Sequence, residues 1–509
     1  MHAEVSSAVL HGVSGQAVRV EVHVSKGIPG FTIVGLPDAS CRESRDRVRA
    51  ALHSSKLPWP DNRVTVNLAP GGLRKEGAGL DLAIAVALLL AQGHLAKPAV
   101  EGSAFLGELG LDGSLRRVPG TLSMVEAVKC DRVVVATDAY AEARLSGEPE
   151  ALCAPTLGQL VSCLRGEADW TTPALSPPRS PSGPMEDLRE VRGQPLGRRA
   201  LEIAAAGGHH LLMVGPPGAG KTMLARRLPG LLPPLDRDAA RVVTRIYSAG
   251  DFGVPTSELI IAPPFRAPHH GATMAALVGG GSRALRPGEI SAAHGGVLFL
   301  DELGEFSPVV LDALRQPLEE GVIRVSRAVG SVSFPAEFVL VGSMNPCPCG
   351  NAGGPGQCRC SDAARVRYAR RLSGPLLDRF DMRLFVQRPT AEELFRGRPG
   401  EPTAAVRERV TEARRRAAHR GVRCNSLLGS SALEAEAPLA PEAARLAERA
   451  VASGQLSARG LQRVRSVGLT VCDLDGRPPP LRGPDVALAL QLRNNPVWLD
   501  RSYAGSHVA

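Results

Sequence analysis

Aromatic side chains make up only 4% of the 509 residues, so binding that relies on stacking bases along an aromatic platform is not an attractive mechanism for this chain. Long apolar runs are missing too. The longest, Leu82 to Ala91, is about half of the roughly 20 residues that a bilayer-spanning helix needs. The N-terminus, Met1-His2-Ala3-Glu4-Val5, lacks the basic-then-apolar order of a signal peptide. Together these absences lead to the expectation of a soluble cytoplasmic protein with no membrane partner. Without an export signal, the ten cysteines point to free thiols or a metal site rather than a disulfide framework. No internal repeat of about 20 to 50 residues is visible.

What is present reads as an ordinary globular composition, 44% apolar and 22% charged, in a chain long enough for three or four domains that each bury a core. The formal net charge of +9 favours an anionic partner, nucleic acid foremost, because clustered cations recruit phosphate backbones by releasing counterions. The excess of arginine over lysine fits phosphate recognition and an arginine-rich genome equally well.

The most informative stretch is Leu211-Leu212-Met213-Val214 followed by Gly215-Pro216-Pro217-Gly218-Ala219-Gly220-Lys221-Thr222. An apolar strand enters a G-x-x-x-x-G-K-T loop that continues into a helix, the context a phosphate-binding P-loop requires. Glycines let the backbone turn its N–H groups toward the phosphates, and the helix start adds a partial positive charge. Lys221 is expected on the β- and γ-phosphates of ATP, and the Thr222 hydroxyl on Mg²⁺. About 80 residues further on, the apolar run Gly296 to Leu300 ends in Asp301-Glu302, the Walker B pattern. There Asp301 would hold Mg²⁺ through water, and Glu302 would orient and deprotonate the attacking water. A buried-strand pattern, Phe338 to Met344, ends in Asn345, whose amide suits the sensor-1 position beside a γ-phosphate.

Other motifs leave alternatives open. Glu319 to Phe334 alternates polar and apolar residues as a β-hairpin does; its Arg324 and Arg327 are candidates for gripping a DNA backbone or members of a solvated face. Cys347-Pro348-Cys349 and Cys358-Arg359-Cys360, within a Cys-rich loop 347–360, can close a tetrahedral Zn²⁺ site or remain free thiols. His269-His270 lacks a third ligand at useful spacing and reads as structural. The basic stretch Ala405 to Arg420 reads as a solvated helix face.

The chain as a whole resembles the YifB/ComM family of magnesium-chelatase-like AAA+ ATPases. Val34-Gly35-Leu36-Pro37-Asp38, Val66-Asn67-Leu68-Ala69-Pro70, Lys75-Glu76-Gly77 and Gly107-Glu108-Leu109 carry the likeness in residues 1–165. That likeness implies a Lon-protease-like, ribosomal-S5-like α/β domain. Lon proteolysis needs a serine activated by a lysine; the corresponding positions here are Gly79 and Leu122, so no peptidase activity is expected. A Pro-rich linker, 166–186, precedes an AAA+ core with a parallel sheet, 187–387, and a C-terminal α-helical lid, 388–509. The segment Phe265 to Ser291 is similar to the helix-2 insert of this branch, which projects into a central pore, as does the hairpin. Arg379, in Gly374-Pro375-Leu376-Leu377-Asp378-Arg379, matches the arginine-finger position that completes a neighbour's site; an internal ion pair with Asp378 or Asp381 is the alternative. Arg459, in Gln455 to Gly460, matches sensor 2 and is expected on the phosphates of its own subunit. Ser466 and Leu469 stand where relatives carry basic residues. The resemblance implies a homo-hexameric ring acting on single-stranded or branched DNA as a branch-migration helicase in natural transformation. A chelatase-like motor that remodels a protein partner is the alternative function, although the Asp-x-Ser-x-Ser metal-adhesion motif of the partner subunit is missing.

Overall fold

The computed structural model describes residues 1–493 apart from 73, 175–185, 251, 253–256, 282–284, 328–329 and 353–357. The N-terminal part is a seven-stranded mixed sheet, in the order Gly30–Val34, Arg63–Ala69, Ser14–Ser25, His2–His11, Ser103–Phe105, Arg132–Ala136, Glu150–Ala154. Strict alternation decides which face is inside: Val18, Val20, Val22 and Val24 are buried, and the last three stand directly opposite the buried Leu68, Val66 and Val64 of the next strand. The helix Asp81–Ala91, apolar on every side, fills the space over this sheet, as its even hydrophobicity demands. Composition assigns 166–174 to the linker, yet Trp170 packs on this core and the Thr171 N–H donates to Cys153. Residues 175–185 of the predicted linker lie outside the described residues.

The second sheet is five-stranded and wholly parallel, in the order Phe265–Arg266, Val297–Leu300, Val339–Met344, Leu211–Val214, Met382–Phe385. All-parallel strands buried on both faces read as unbroken apolar runs, which Leu211–Val214 and Val297–Leu300 are. The sensor strand lies between the P-loop strand and the Walker B strand. The carboxyl ends of the three therefore converge, the place where open α/β sheets bind ligands.

Four helices of the lid, Thr403–His419, Pro441–Ala452, Ala458–Leu474 and Gly483–Gln491, share one hydrophobic core with the motor, in which Leu201 and Leu228 meet Val410, Val464 and Leu469. Ser466 and Leu469 are both buried, and the Ser466 hydroxyl donates to the Asn425 carbonyl. These positions point into the lid, so a basic side chain there would lack solvent and a partner. The basic helix is not uniformly a solvated face either. Arg414 donates to the Ala205 carbonyl, and Arg420 makes a two-pronged pair with the buried Asp473.

A buried carboxylate fastens lid to motor. Asp381 accepts from the His210 N–H at 3.0 Å and meets Arg463 of the lid at 2.9 Å. Burial opposes its ionisation, but Arg463 and His209 outweigh burial and hold it well below the usual carboxylate range.

Two histidines, the half-buried His210 and the buried His294, accept backbone N–H groups through Nδ1: His210 from Leu340 at 3.0 Å and His294 from Glu337 at 3.0 Å. Burial, the main cause, depresses each from 6.5 to about 4. The unfolded chain therefore takes up protons near pH 6.5 that the fold refuses until about pH 4. This contribution is complete above 6.5 and drains away as pH falls through that window. The urea midpoint of the wild type should decline across it, and His294→Gln, which can still accept the Glu337 N–H, should show a shallower decline; identical pH profiles for the two would contradict this reading.

Candidate nucleotide site

The loop between the P-loop strand and the helix Lys221–Leu231 depends on glycine at three places for two reasons. Gly218 and Gly220 have φ of +76° and +90°, a region that costs other residues a Cβ clash. Gly215 is fixed by close approach: a Cβ there would stand 2.1 Å from the Val386 carbonyl oxygen.

Lys221 opens the helix and is 9% exposed. Its ammonium donates to the carbonyls of Gly215 at 2.7 Å and Pro216 at 3.1 Å and to the Asn345 side chain at 3.3 Å. Burial lowers its pKa, while Asp301 and Glu302 pull the other way and hold the charge in place. Thr222 donates to Asp301 at 2.9 Å, so the hydroxyl and carboxylate expected to share a Mg²⁺ ion already face one another. The donor set is one of hard oxygens beside a helix N-terminus, which suits Mg²⁺ and phosphate. Pro217 to Thr222, Asp301, Glu302 and Asn345 line one open cleft.

Glu302 carries a feature that no sequence pattern announced. Its backbone sits at φ +51°, a strained conformation for a non-glycine residue that persists only where the surroundings impose it. Its carboxylate is directed to His270 Nδ1, 3.3 Å away. The His270 ring is packed against His269 at 4.0 Å between centroids and edge-on to Phe306 at 6.4 Å. The paired histidines, expected to be structural, thus include a partly exposed one that lies beside the candidate base. The signal was available only as a His within an insert, with nothing to indicate its partner.

The arginines fall elsewhere. Arg379 is ion-paired with Glu319 rather than with either neighbouring aspartate: Asp378 lies 3.8 Å from Arg383, and Asp381 belongs to Arg463. Burial first, then the nearby cations of Arg459, Arg463 and Arg315, lower its pKa. Arg459 is exposed at the start of the helix Ala458–Leu474. It stands beside Arg379 and is not among the described residues that line the Lys221 cleft. The Arg463–Asp381 pair ties that helix to the turn, just before the strand Met382–Phe385, in which Arg379 lies. On the hairpin Val322–Arg327 and Gly330–Pro335, Ile323, Val325, Val332 and Phe334 face inward. Arg324 is exposed and ion-paired with Glu320 at 2.5 Å; the side chain of Arg327 lies outside the described residues.

The four thiols of the Cys-rich loop come together, with all four Sγ atoms within 4.8 Å of one another. Cys347 is 3.4 Å from Cys349 and 3.6 Å from Cys358, and Cys349 is 3.6 Å from Cys358. A tetrahedral zinc site with metal–sulfur bonds of about 2.3 Å has sulfur–sulfur edges of about 3.8 Å, whereas a disulfide closes to about 2.05 Å. The spacing fits a metal. Burial pushes the Cys347 thiol up to about 12, whereas backbone N–H groups of Asn351 and Arg359 bring Cys349 down to about 6.

Comparison with known proteins now places the chain. Residues 187–394 match the family profile "Magnesium chelatase, subunit ChlI", residues 20–138 "Subunit ChlI of Mg-chelatase", and residues 400–493 "Magnesium chelatase, subunit ChlI C-terminal". An uncharacterized protein of Escherichia coli, YifB, is 43% identical, covering 91% of this chain and 92% of its own length. The competence protein ComM of Haemophilus influenzae is 42% identical over 93% of this chain and 94% of its own. The chain belongs to the YifB/ComM family of magnesium-chelatase-like proteins. An uncharacterized protein of Mycobacterium tuberculosis, Rv2897c, is 45% identical over 96% of this chain and 97% of its own length. Membership of this magnesium-chelatase-like AAA+ family agrees with a parallel-sheet motor, a helical C-terminal region and a cleft suited to ATP and Mg²⁺. Among the described residues no helix is long and apolar enough to cross a membrane.

With Glu302 as base and Lys221 as the phosphate contact, Glu302→Gln should still bind ATP while hydrolysis falls about 10²- to 10⁴-fold. Equilibrium binding of a fluorescent ATP analogue beside a phosphate-release assay separates the two; hydrolysis within a few-fold of wild type would remove Glu302 from that role.

Proposed function

We propose that this chain is a Mg²⁺-dependent ATPase that works as a homo-oligomeric ring, six-membered by family resemblance, and translocates on single-stranded or branched DNA as a branch-migration helicase in DNA uptake and recombination. The observation that carries the reading is the split of the catalytic set. Lys221, Thr222, Asp301, Glu302 and Asn345 share one cleft, while Arg379 and Arg459 stand together away from it. Arginines so placed serve a phosphate on the next copy, where a finger is worth about 10³-fold or more in rate. Lys221 and the backbone N–H groups would hold the triphosphate, Thr222 and Asp301 would hold the metal, Asn345 and Glu302 would position water, and the neighbour's Arg379 would meet the charge that develops. A Mg²⁺ ion held there would supply charge neutralisation to the phosphates.

The DNA part is supported by the net charge of +9, by the exposed Arg324 on the outer face of the hairpin and by the name of the competence relative. Arg324 would exchange Glu320 for a phosphate, a contact that positions without reading sequence. The magnesium-chelatase profiles favour, as the second reading, a motor that remodels a protein partner. The N-terminal domain is read as a Lon-like fold without the dyad: Leu122 is fully buried, and Gly79 offers no side chain. The four cysteines are read as a structural Zn²⁺ site that staples a loop with little to bury.

ATP turnover should rise with a Holliday-junction or three-strand DNA at low salt, and a flat response across DNA structures would count against the translocase. Lys221→Ala and Arg379→Ala should each be inactive alone and restore one another when mixed, because a wild-type P-loop can then meet a wild-type finger; failure to complement would mean the site is not shared. Metal analysis of the purified protein should give about one zinc per chain, lost in Cys347→Ser/Cys358→Ser; an equal zinc content in both would leave the thiols free.

A further inference from the structure

The N-terminal domain touches the motor at two places that have nothing to do with peptide chemistry. At the first, its helix Thr121–Ala127 lies against the motor helix Arg237–Ala249, which follows the P-loop helix in the chain. Glu126 pairs with Arg241 at 2.8 Å and with Arg245. The Gly120 N–H donates to the Ser248 carbonyl at 2.9 Å, and the Ser248 hydroxyl donates to the buried Glu142.

At the second, the tight turn between the first two strands presses on the hairpin that carries Arg324. Val13 is 9% exposed and sits in one hydrophobic cluster with Ile323, Val325, Val332 and Phe334. Gly12 has φ +65°, and a Cβ on it would stand 2.2 Å from Val332 Cγ1. The turn is joined to the first contact: the Ser123 hydroxyl donates to the Val13 carbonyl at 2.8 Å, and a Cβ on Gly15 would stand 2.0 Å from the Ser123 carbonyl oxygen. Backbones held this closely leave the turn little freedom to move apart from the helix behind it.

We infer that the N-terminal domain is a rigid wedge between the helix Arg237–Ala249 and the hairpin Val322–Pro335, so that a shift of the nucleotide-bearing core is delivered to the hairpin through Glu126, Ser123 and Val13. This rests on the reading of the hairpin as the DNA-gripping element. It assigns to the protease-like domain a mechanical role in place of a chemical one. Neither contact reaches the Lys221 cleft, so breaking them separates grip from hydrolysis.

The experiment compares wild type, Glu126→Arg, Val13→Asp and the charge-swapped Glu126→Arg/Arg241→Glu/Arg245→Glu, all as full-length protein. ATP turnover without DNA should stay within about twofold of wild type, while stimulation by branched DNA falls at least about threefold in the first two variants. In the same proteins, hydrogen exchange of the hairpin amides should speed up and lose its dependence on a bound non-hydrolysable ATP analogue. The charge swap should restore both. Val13→Asp faces a buried position and Glu126→Arg a largely covered ion pair, so each can disturb folding; the charge swap, which keeps the pairing, separates loss of fold from loss of coupling. Unchanged stimulation and unchanged hairpin exchange in folded Glu126→Arg would overturn the wedge. If wild type itself is not stimulated by DNA, the translocase reading fails, and nucleotide-dependent hairpin exchange that is lost in Glu126→Arg still supports the wedge, while its persistence overturns it.

Discussion

A buried ammonium organises the motor. Lys221 is withdrawn from water and held by two carbonyls of its own loop and the Asn345 amide oxygen, with Asp301 and Glu302 close enough to stabilise its charge. An unpaired cation in that position would be costly, so the P-loop, the sensor strand and the Walker B strand must all sit where they do for Lys221 to stay charged. The strand order that puts the sensor strand in the middle meets this requirement. The same geometry makes the site ready for phosphates: the ammonium can trade carbonyl contacts for stronger ones with little rearrangement of the backbone.

A buried anion plays the matching role for the lid. Asp381 receives the His210 N–H from the edge of the P-loop strand and Arg463 from the lid helix, so one carboxylate joins the nucleotide-binding sheet to the helical domain. Lid and motor also share a continuous apolar core. The consequence for catalysis is positional. The lid helix is drawn to the turn that carries Arg379, and Arg459 arrives beside that arginine. The chain thus presents a nucleotide cleft at one place and a cluster of guanidinium groups at another.

The P-loop and the two Walker B carboxylates were legible in the sequence because their chemistry is local: consecutive residues on one strand–loop–helix fix where Lys221 and Thr222 go, and a buried run ending in two acids fixes Asp301 and Glu302. What the sequence hid depends on packing between distant segments. His270 meets Glu302 only because an insert folds back over the Walker B strand. Arg459 takes its place from the Asp381 tether, and Ser466 and Leu469 prove to be interior positions. The hairpin looked amphipathic, yet only the fold shows that Val13 and Leu10 of another domain share the cluster that covers its apolar face.

The central claim, that the Lys221 cleft binds and hydrolyses ATP with Mg²⁺, is tested most directly by titrating purified protein with ATP in the presence and absence of Mg²⁺ and following phosphate release, with Lys221→Ala alongside. Saturable, Mg²⁺-dependent binding and turnover in the wild type, both lost in Lys221→Ala, are the predicted result. A wild type that neither retains nor splits ATP with Mg²⁺ present, or a Lys221→Ala protein that matches it, would contradict the account.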